Sequence, residues 1–428
     1  RDRSVSRGLG DVYKRQFLHC AKIEARRISA MTKYSHQNAV DLFVRMVQVD
    51  SPSFSESAMV DFIENEVKTL GWDCKILRQR INMRDLEDDV KERLPADELE
   101  KETEQIQIVI EADEAGKDKA PVFFAAHIDT VEPGKGIKPV FTDDGKITSD
   151  GTTVLGSDDK SGVAAIMAAV DETLKSGKPH GKIVLVFTAL EEKGLLGARF
   201  VPIKDLGVKY GFVFDTVGSV GLAVERVQHS YGVTINMQVA DIANHANGAL
   251  KPNALTYACE LINELPKGVI NEEDYTFSQI TSLKTTNEPG YMVPDKAEIK
   301  GTIRSFIPEE ALTLRKQYEA IIKRFKRENL TVTYKLGSLK TMGYDHSKTE
   351  IGNLMLGNAQ KIFEEMGIEF KRGRTGLGGH DASVYVKEGV PTLVLSCGMQ
   401  NIHTTKEWIY VEDLHNCTEL IMRLIDKA

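Results

Sequence analysis

Residues 121–130 read PVFFAAHIDT. After the proline an unbroken apolar run reaches Ala126, and then come His127, one isoleucine and Asp129. A short apolar run without alternation is the pattern of a strand buried on both faces, so this stretch predicts the interior of a covered sheet. Side chains alternate along a strand, which puts His127 and Asp129 on one face at its C-terminal end. Two readings follow. They form an ordinary polar pair at a strand terminus, or they are half of a metal site in which one residue binds and the other fixes the imidazole tautomer.

The neighbouring segments settle the fold class. Apolar runs at IQIVIEA, KIVLVFTA, YGFVFDT and PTLVLSC alternate with helical patterns at SGVAAIMAAVDETLKSG, GLLGARFVPI, EIGNLMLGNAQKIFEEMG and VEDLHNCTELIMRLIDK. This order predicts an α/β architecture, a mixed and largely parallel sheet sandwiched by helices. Between 224 and 337 the order becomes strand, helix, strand, strand, helix, strand, the split βαβ of a ferredoxin-like unit. The expected division is therefore a catalytic domain from 31–223 and 338–428, with 224–337 inserted as a second domain. Residues 79–105 are dense in charge and broken by Pro95, which predicts a solvated helical hairpin or loop. Residues 1–30 have neither an apolar signal core nor an amphipathic period; they are expected to lie outside the fold, with the functional protein beginning near Met31.

At 428 residues the chain is long enough for one large and one smaller core. Its 55 basic and 63 acidic residues give a net charge of −8 without a basic stripe, which argues against nucleic acid or an anionic membrane surface as partner. No apolar run approaches the ~18 residues of a membrane span. Five cysteines without a CxxC spacing fit a reducing cytoplasm.

Histidine and acidic residues recur where open α/β sheets place their sites, at strand C-termini. His127 and Asp129 end one strand, Glu191 and Glu192 end KIVLVFTALEE, and Asp215 ends GFVFDT. Asp158 opens the helix after GTTVLGSDDKSG, and His403 follows PTLVLSCGMQN. Adjacent glutamates are usually a solvated helix face. At a strand-to-helix junction, however, their side chains diverge, so one can bind a metal while the other activates water. GSDDKSG lacks the spacing of a phosphate-binding loop. Oxygen and imidazole donors without thiolate suit zinc, cobalt or manganese, with catalysis favouring zinc.

In register, HIDTVEPG, GSDDKSGVAAI, TALEEKGLLGA, VFDTVG and IHT resemble the co-catalytic zinc exopeptidases, which include aminoacylase, glutamate carboxypeptidase, succinyl-diaminopimelate desuccinylase and peptidase T. The resemblance runs from about residue 35 to the C-terminus. It implies that His127 and Asp215 hold one zinc, Glu192 and His403 a second, and that Asp158 bridges them. It further implies that Asp129 orients His127 and that Glu191 is the general base. In this family the inserted domain is a lid and dimerisation domain. By that resemblance His245, in DIANHANGAL, reaches a neighbouring subunit's site, and Arg304 binds a substrate carboxylate. His380, in GGHDASVY, stands where the family has a small residue, either touching substrate or packing. Tyr291, in GYMVP, replaces an asparagine of many relatives, a departure closer to peptidase T than to the deacylases. The implied activity is that of a cytoplasmic tripeptide aminopeptidase, with a homodimer through the inserted domain as the assembly the resemblance allows. The alternative is an N-acyl-amino-acid deacylase or a carboxypeptidase.

Overall fold

A computed structural model describes residues 35–428 apart from 93, 241–252, 274, 287–292, 342 and 376–378. Residues 1–30, His245 and Tyr291 lie outside the described residues.

The opening stretch is the strand Val122–His127, buried at every position. It runs parallel to Ile183–Thr188 on one side and to Tyr210–Val213 on the other, and Tyr210–Val213 is parallel to Thr392–Leu395. These four strands are the parallel centre of a nine-stranded mixed sheet. Antiparallel pairings add Glu102–Ile110 and Lys75–Asn82 at one side and Leu222–Val227 at the other.

Alternation divides the core between the two faces. Phe124, Ala126, Leu185 and Phe187 pack with Phe43, Ile63, Met167, Leu356 and Leu420 from the long helices Gln37–Val47, Ser57–Leu70, Ser157–Ser176, Glu350–Met366 and Val411–Lys427. Phe123, Ala125, Val184 and Val186 meet Leu195, Val201, Ile203 and Tyr385 from a long loop and the short helix Ala382–Lys387. Each of the larger aliphatic and phenylalanine side chains contributes about 1.5–3 kcal/mol on burial, which anchors this sheet between its two layers.

The second sheet has five strands, with Thr276–Thr285, Lys296–Ser305, His229–Val239 and Leu330–Thr341 in that spatial order and Gly268–Asn271 added at the edge. With the helices Ala254–Glu264 and Pro308–Arg324 against it, this is the ferredoxin-like arrangement plus one strand. The expected boundary at 223/224 falls inside Leu222–Val227 of the large sheet. The chain instead crosses to the second sheet at Gln228 and rejoins the first at Tyr344–Asp345.

Two local expectations fail for physical reasons. GLLGARFVPI forms only the 3-10 turn Gly197–Phe200. A side chain at Gly197 would collide with the Ala189 carbonyl, so this segment is folded back on the end of the preceding strand rather than wound into a helix. Residues 79–105 are also more than a solvated excursion. Ile81, Met83, Leu86 and Val90 are buried against Ala189, Leu190 and Leu196, while the charges between them pair at the surface, as in Arg80–Glu102 and Arg84–Glu100.

Candidate metal centre

Because the four central strands are parallel, their C-terminal ends share one edge of the sheet. His127 is paired in register with Thr188, three residues before Glu191, and Ala125 with Val213, two before Asp215. Asp158 reaches the same edge from the start of Ser157–Ser176, where Asp158 and Asp159 have non-helical backbone angles and a cis peptide joins them. His403 arrives from the loop after Thr392–Leu395.

Asp158 sits between the two imidazoles. Nε2 of His127 lies 3.0 Å from its Oδ1, and Nε2 of His403 lies 3.0 Å from its Oδ2. His403 Nε2 is also 2.8 Å from Glu192 Oε1. Ligand atoms of His127, Asp158 and Asp215 lie within 4.8 Å of one another, as do those of Asp158, Glu192 and His403, and those of His127, Glu191 and Glu192. The other face of His127 is fixed by Nδ1, which is 2.9 Å from the Asp129 carbonyl and 3.4 Å from its carboxylate. The buried Asp129 also accepts the backbone N–H groups of Glu191 and Glu192, at 3.0 and 3.3 Å, and the Ser53 hydroxyl at 2.8 Å.

The charge balance of the site bears on what it can hold. Burial, reinforced by Asp215, pushes the Glu191 carboxyl well above its usual range. Burial does the same to Asp215, and to Asp159 with the help of Asp215. Burial opposes ionisation of Asp158 too, yet its bonds to His127 and His403 hold it well below the ordinary value. Hydrogen bonds to Asp158 and Glu192 raise His403 to about 10. Buried acidic groups this crowded are stabilised as anions by cations, and imidazole with carboxylate oxygen is a donor set that divalent zinc, cobalt or manganese accepts. The residues present therefore fit a pair of metal ions sharing Asp158. Phe54, Leu190 and His403, all beside the site, adopt left-handed backbone conformations, a local strain that clusters at functional positions.

Supporting groups went unnoticed in the sequence. Glu407, almost fully buried, accepts the backbone N–H groups of Leu155, Gly156 and Asp158 and the Ser157 hydroxyl, at 2.6–3.0 Å. It lies in a loop ordered by pairing of Trp408 with Thr148. Glu56 accepts from the Leu190 amide at 3.2 Å. Asp159 accepts the His127 amide at 3.3 Å, and Asp381 accepts the Thr188 hydroxyl at 2.5 Å. Asp159 and Asp381 stood inside the quoted GSDDKSG and GGHDASVY, whereas Glu56 and Glu407 carry no motif.

His380 is buried, and its Nδ1 has no hydrogen-bond partner among the described residues. Burial lowers its pKa to about 4 against the pull of Asp158. Arg304 stays on the second sheet, in register with Ser230 and Phe277, and donates to the Thr302 hydroxyl at 3.3 Å.

Residues 123–427 match the sequence profile of Peptidase family M20/M25/M40. Over 403 residues the chain is 28% identical to the uncharacterized protein YqjE of Bacillus subtilis, covering 92% of this chain and 99% of that one. Over 299 residues it is 28% identical to Peptidase T of Salmonella paratyphi A, covering 65% and 67%. Aminopeptidase PepT of Bacillus cereus has a similar structure, with a TM-score of 0.75 at 28% identity over 92% of this chain and 99% of that chain. A tripeptidase of Staphylococcus aureus shares the fold with a TM-score of 0.77, at 24% identity over 92% and 98%. The chain thus belongs to Peptidase family M20/M25/M40, a family of metal-dependent hydrolytic enzymes, and is a peptidase-T-like member of it.

Proposed function

We propose that this chain is a two-metal aminopeptidase that removes the N-terminal residue of short peptides, tripeptides foremost. The observation that carries the proposal is Asp158, whose Oδ1 lies 3.0 Å from Nε2 of His127 and whose Oδ2 lies 3.0 Å from Nε2 of His403, with Glu191 grouped beside His127 and Glu192. His127, Asp158 and Asp215 would hold one ion, and Asp158, Glu192 and His403 the other, with zinc as the native metal. Bound there, the ions would supply Lewis acidity, acidifying water toward a pKa of ~7 and polarising the scissile carbonyl.

The remaining work belongs to side chains. Glu191 takes the proton of the attacking water and returns it to the departing amine, a shuttle for which a single carboxylate suffices. Asp129 keeps His127 in the tautomer that presents Nε2 inward and holds the backbone of Glu191 and Glu192. Arg304 is assigned to the substrate carboxylate and His380 to the wall of the substrate pocket. His245 is assigned to the reacting carbonyl of a neighbouring subunit in a homodimer formed through the second domain, and the enzyme to the cytoplasm.

The likeness to Peptidase T and to aminopeptidase PepT supports action at a free N-terminus. The test compares a free tripeptide with its N-acetylated and C-amidated forms after loading with zinc. Release of the first residue from the free peptide is expected, with weaker release from the amidated one, which lacks the carboxylate assigned to Arg304, and with the acetylated peptide spared. Preference for the acetylated peptide would establish the deacylase reading, and loss of cleavage on amidation with release of the last residue would establish a carboxypeptidase.

A further inference from the structure

The strand Ile183–Thr188 ends three residues before the proposed base, and the chain must turn there so that Glu191 and Glu192 project differently. Beyond the ladder, four consecutive backbone N–H groups are taken by side chains from elsewhere in the chain. Ala189 donates to Gln105 Oε1 at 3.3 Å, Leu190 to Glu56 Oε1 at 3.2 Å, Glu191 to Asp129 Oδ1 at 3.0 Å and Glu192 to Asp129 Oδ2 at 3.3 Å. The turn then closes on itself, with Leu195 donating to the Glu191 carbonyl at 2.8 Å and Leu196 to that of Leu190 at 3.0 Å.

Leu190 is the awkward residue of this row. Its φ of 56° lies in the left-handed region, which a leucine leaves when nothing holds it. Two things hold it. Its side chain is buried among Ile81, Met83, Leu86, Val90 and Leu196, so the charged segment after residue 79 serves as its backing. Its amide is held by Glu56, whose own carboxylate is completely buried and tied to the Phe54 amide and the Thr103 hydroxyl.

We infer that Glu56 is a positioning residue for Glu191, acting through the left-handed Leu190 to aim the base. The inference rests on the reading of Glu191 as base. Displacement of a reacting group by about 1 Å costs on the order of 100-fold in rate. Glu56→Ala is therefore expected to lower kcat about 10–100-fold while KM and bound metal stay within twofold. Glu56→Gln is expected to restore most of kcat, because its amide oxygen accepts the Leu190 and Phe54 amides while its NH2 meets the Thr103 oxygen. Thr103→Val, nearly isosteric, loosens Glu56 and is expected to lower kcat several-fold with metal unchanged, and it carries the test should Glu56→Ala not fold. A folded Glu56→Ala with wild-type kcat, or Thr103→Val with wild-type kcat, would overturn the inference. Equal impairment of Glu56→Gln and Glu56→Ala would overturn it too. Glu191→Gln assayed alongside separates the two readings: if active, it removes the base assignment itself; if inactive beside an unimpaired Glu56→Ala, it leaves only the positioning role refuted.

Discussion

Glu407 accepts the backbone amide of Asp158 at 3.0 Å across 249 residues of sequence. The same carboxylate takes the three donors before it, so the loop that delivers the shared aspartate is shaped by a residue four positions after His403. Glutamine in that place can offer one oxygen, and its NH2 faces donors. Each buried group left unpaired costs about 1–3 kcal/mol. Glu407→Gln is expected to weaken metal binding on the order of 10–100-fold, as outer partners of metal ligands do, and to lower the melting temperature. Isothermal titration of the apoprotein with zinc checks this, and unchanged affinity would refute the role.

The second prediction concerns stability far from the site. His36 bridges Glu172 at 2.7 Å and Glu419 at 3.4 Å, with His415 edge-on at 6.5 Å and Arg423 beyond Glu419. Burial opposes its charge, but the hydrogen bond to Glu172 and the pairing with Glu419 prevail and raise its pKa to about 9. The folded state therefore binds this proton more tightly than the unfolded chain. The resulting stability is fully present below the unfolded value of 6.5 and is lost as pH rises through about 9. Melting temperatures from pH 6.5 to 10 should fall for the wild type, and His36→Gln should flatten that fall. Parallel curves would contradict it.

A third prediction follows from the proposed homodimer. If His245 acts in a neighbouring subunit, His245→Ala is expected to lose about 99% of turnover, on the order of the 100-fold worth of one oxyanion donor, and Glu191→Gln nearly all of it. Mixing the two variants should restore activity, because a mixed dimer holds one site with both residues intact. A mixture as inactive as its components would refute action between subunits.

Much of this architecture is legible in the sequence. Strands buried on both faces are readable from unbroken apolar runs. A histidine or carboxylate at the end of such a run stands out because burial there requires a partner or an ion. Hence His127, Glu191, Glu192 and Asp215 stand out, whereas Asp158 at a helix start and His403 in a loop are marked only by the resemblance of their motifs; the structure brings ligand atoms of all six to one edge. The supporting groups were not legible for a corresponding reason. Glu56 and Glu407 act on backbone N–H groups more than 100 residues away, and a contact with the main chain leaves no pattern in residue types.

Charge density misled the reading of residues 79–105. Met83, Leu86, Val90 and Leu94 recur at spacings of three and four, the signal of an apolar face, but the acids and bases between them dominate the composition. The segment in fact supports Leu190. The expected boundary at 224 falls inside Leu222–Val227, whose sequence LAVERV carries Glu225 and Arg226 and so lacks the unbroken apolar run that marks the central strands.

The division of labour between two adjacent glutamates is the centre of the account, and one paired measurement addresses it most directly. Glu191→Gln and Glu192→Gln are purified, loaded with zinc, and assayed both for bound metal per chain and for turnover of a free tripeptide. Glu191→Gln is expected to bind metal as the wild type does while losing nearly all turnover, and Glu192→Gln to lose metal. Both variants fully loaded and active would contradict it.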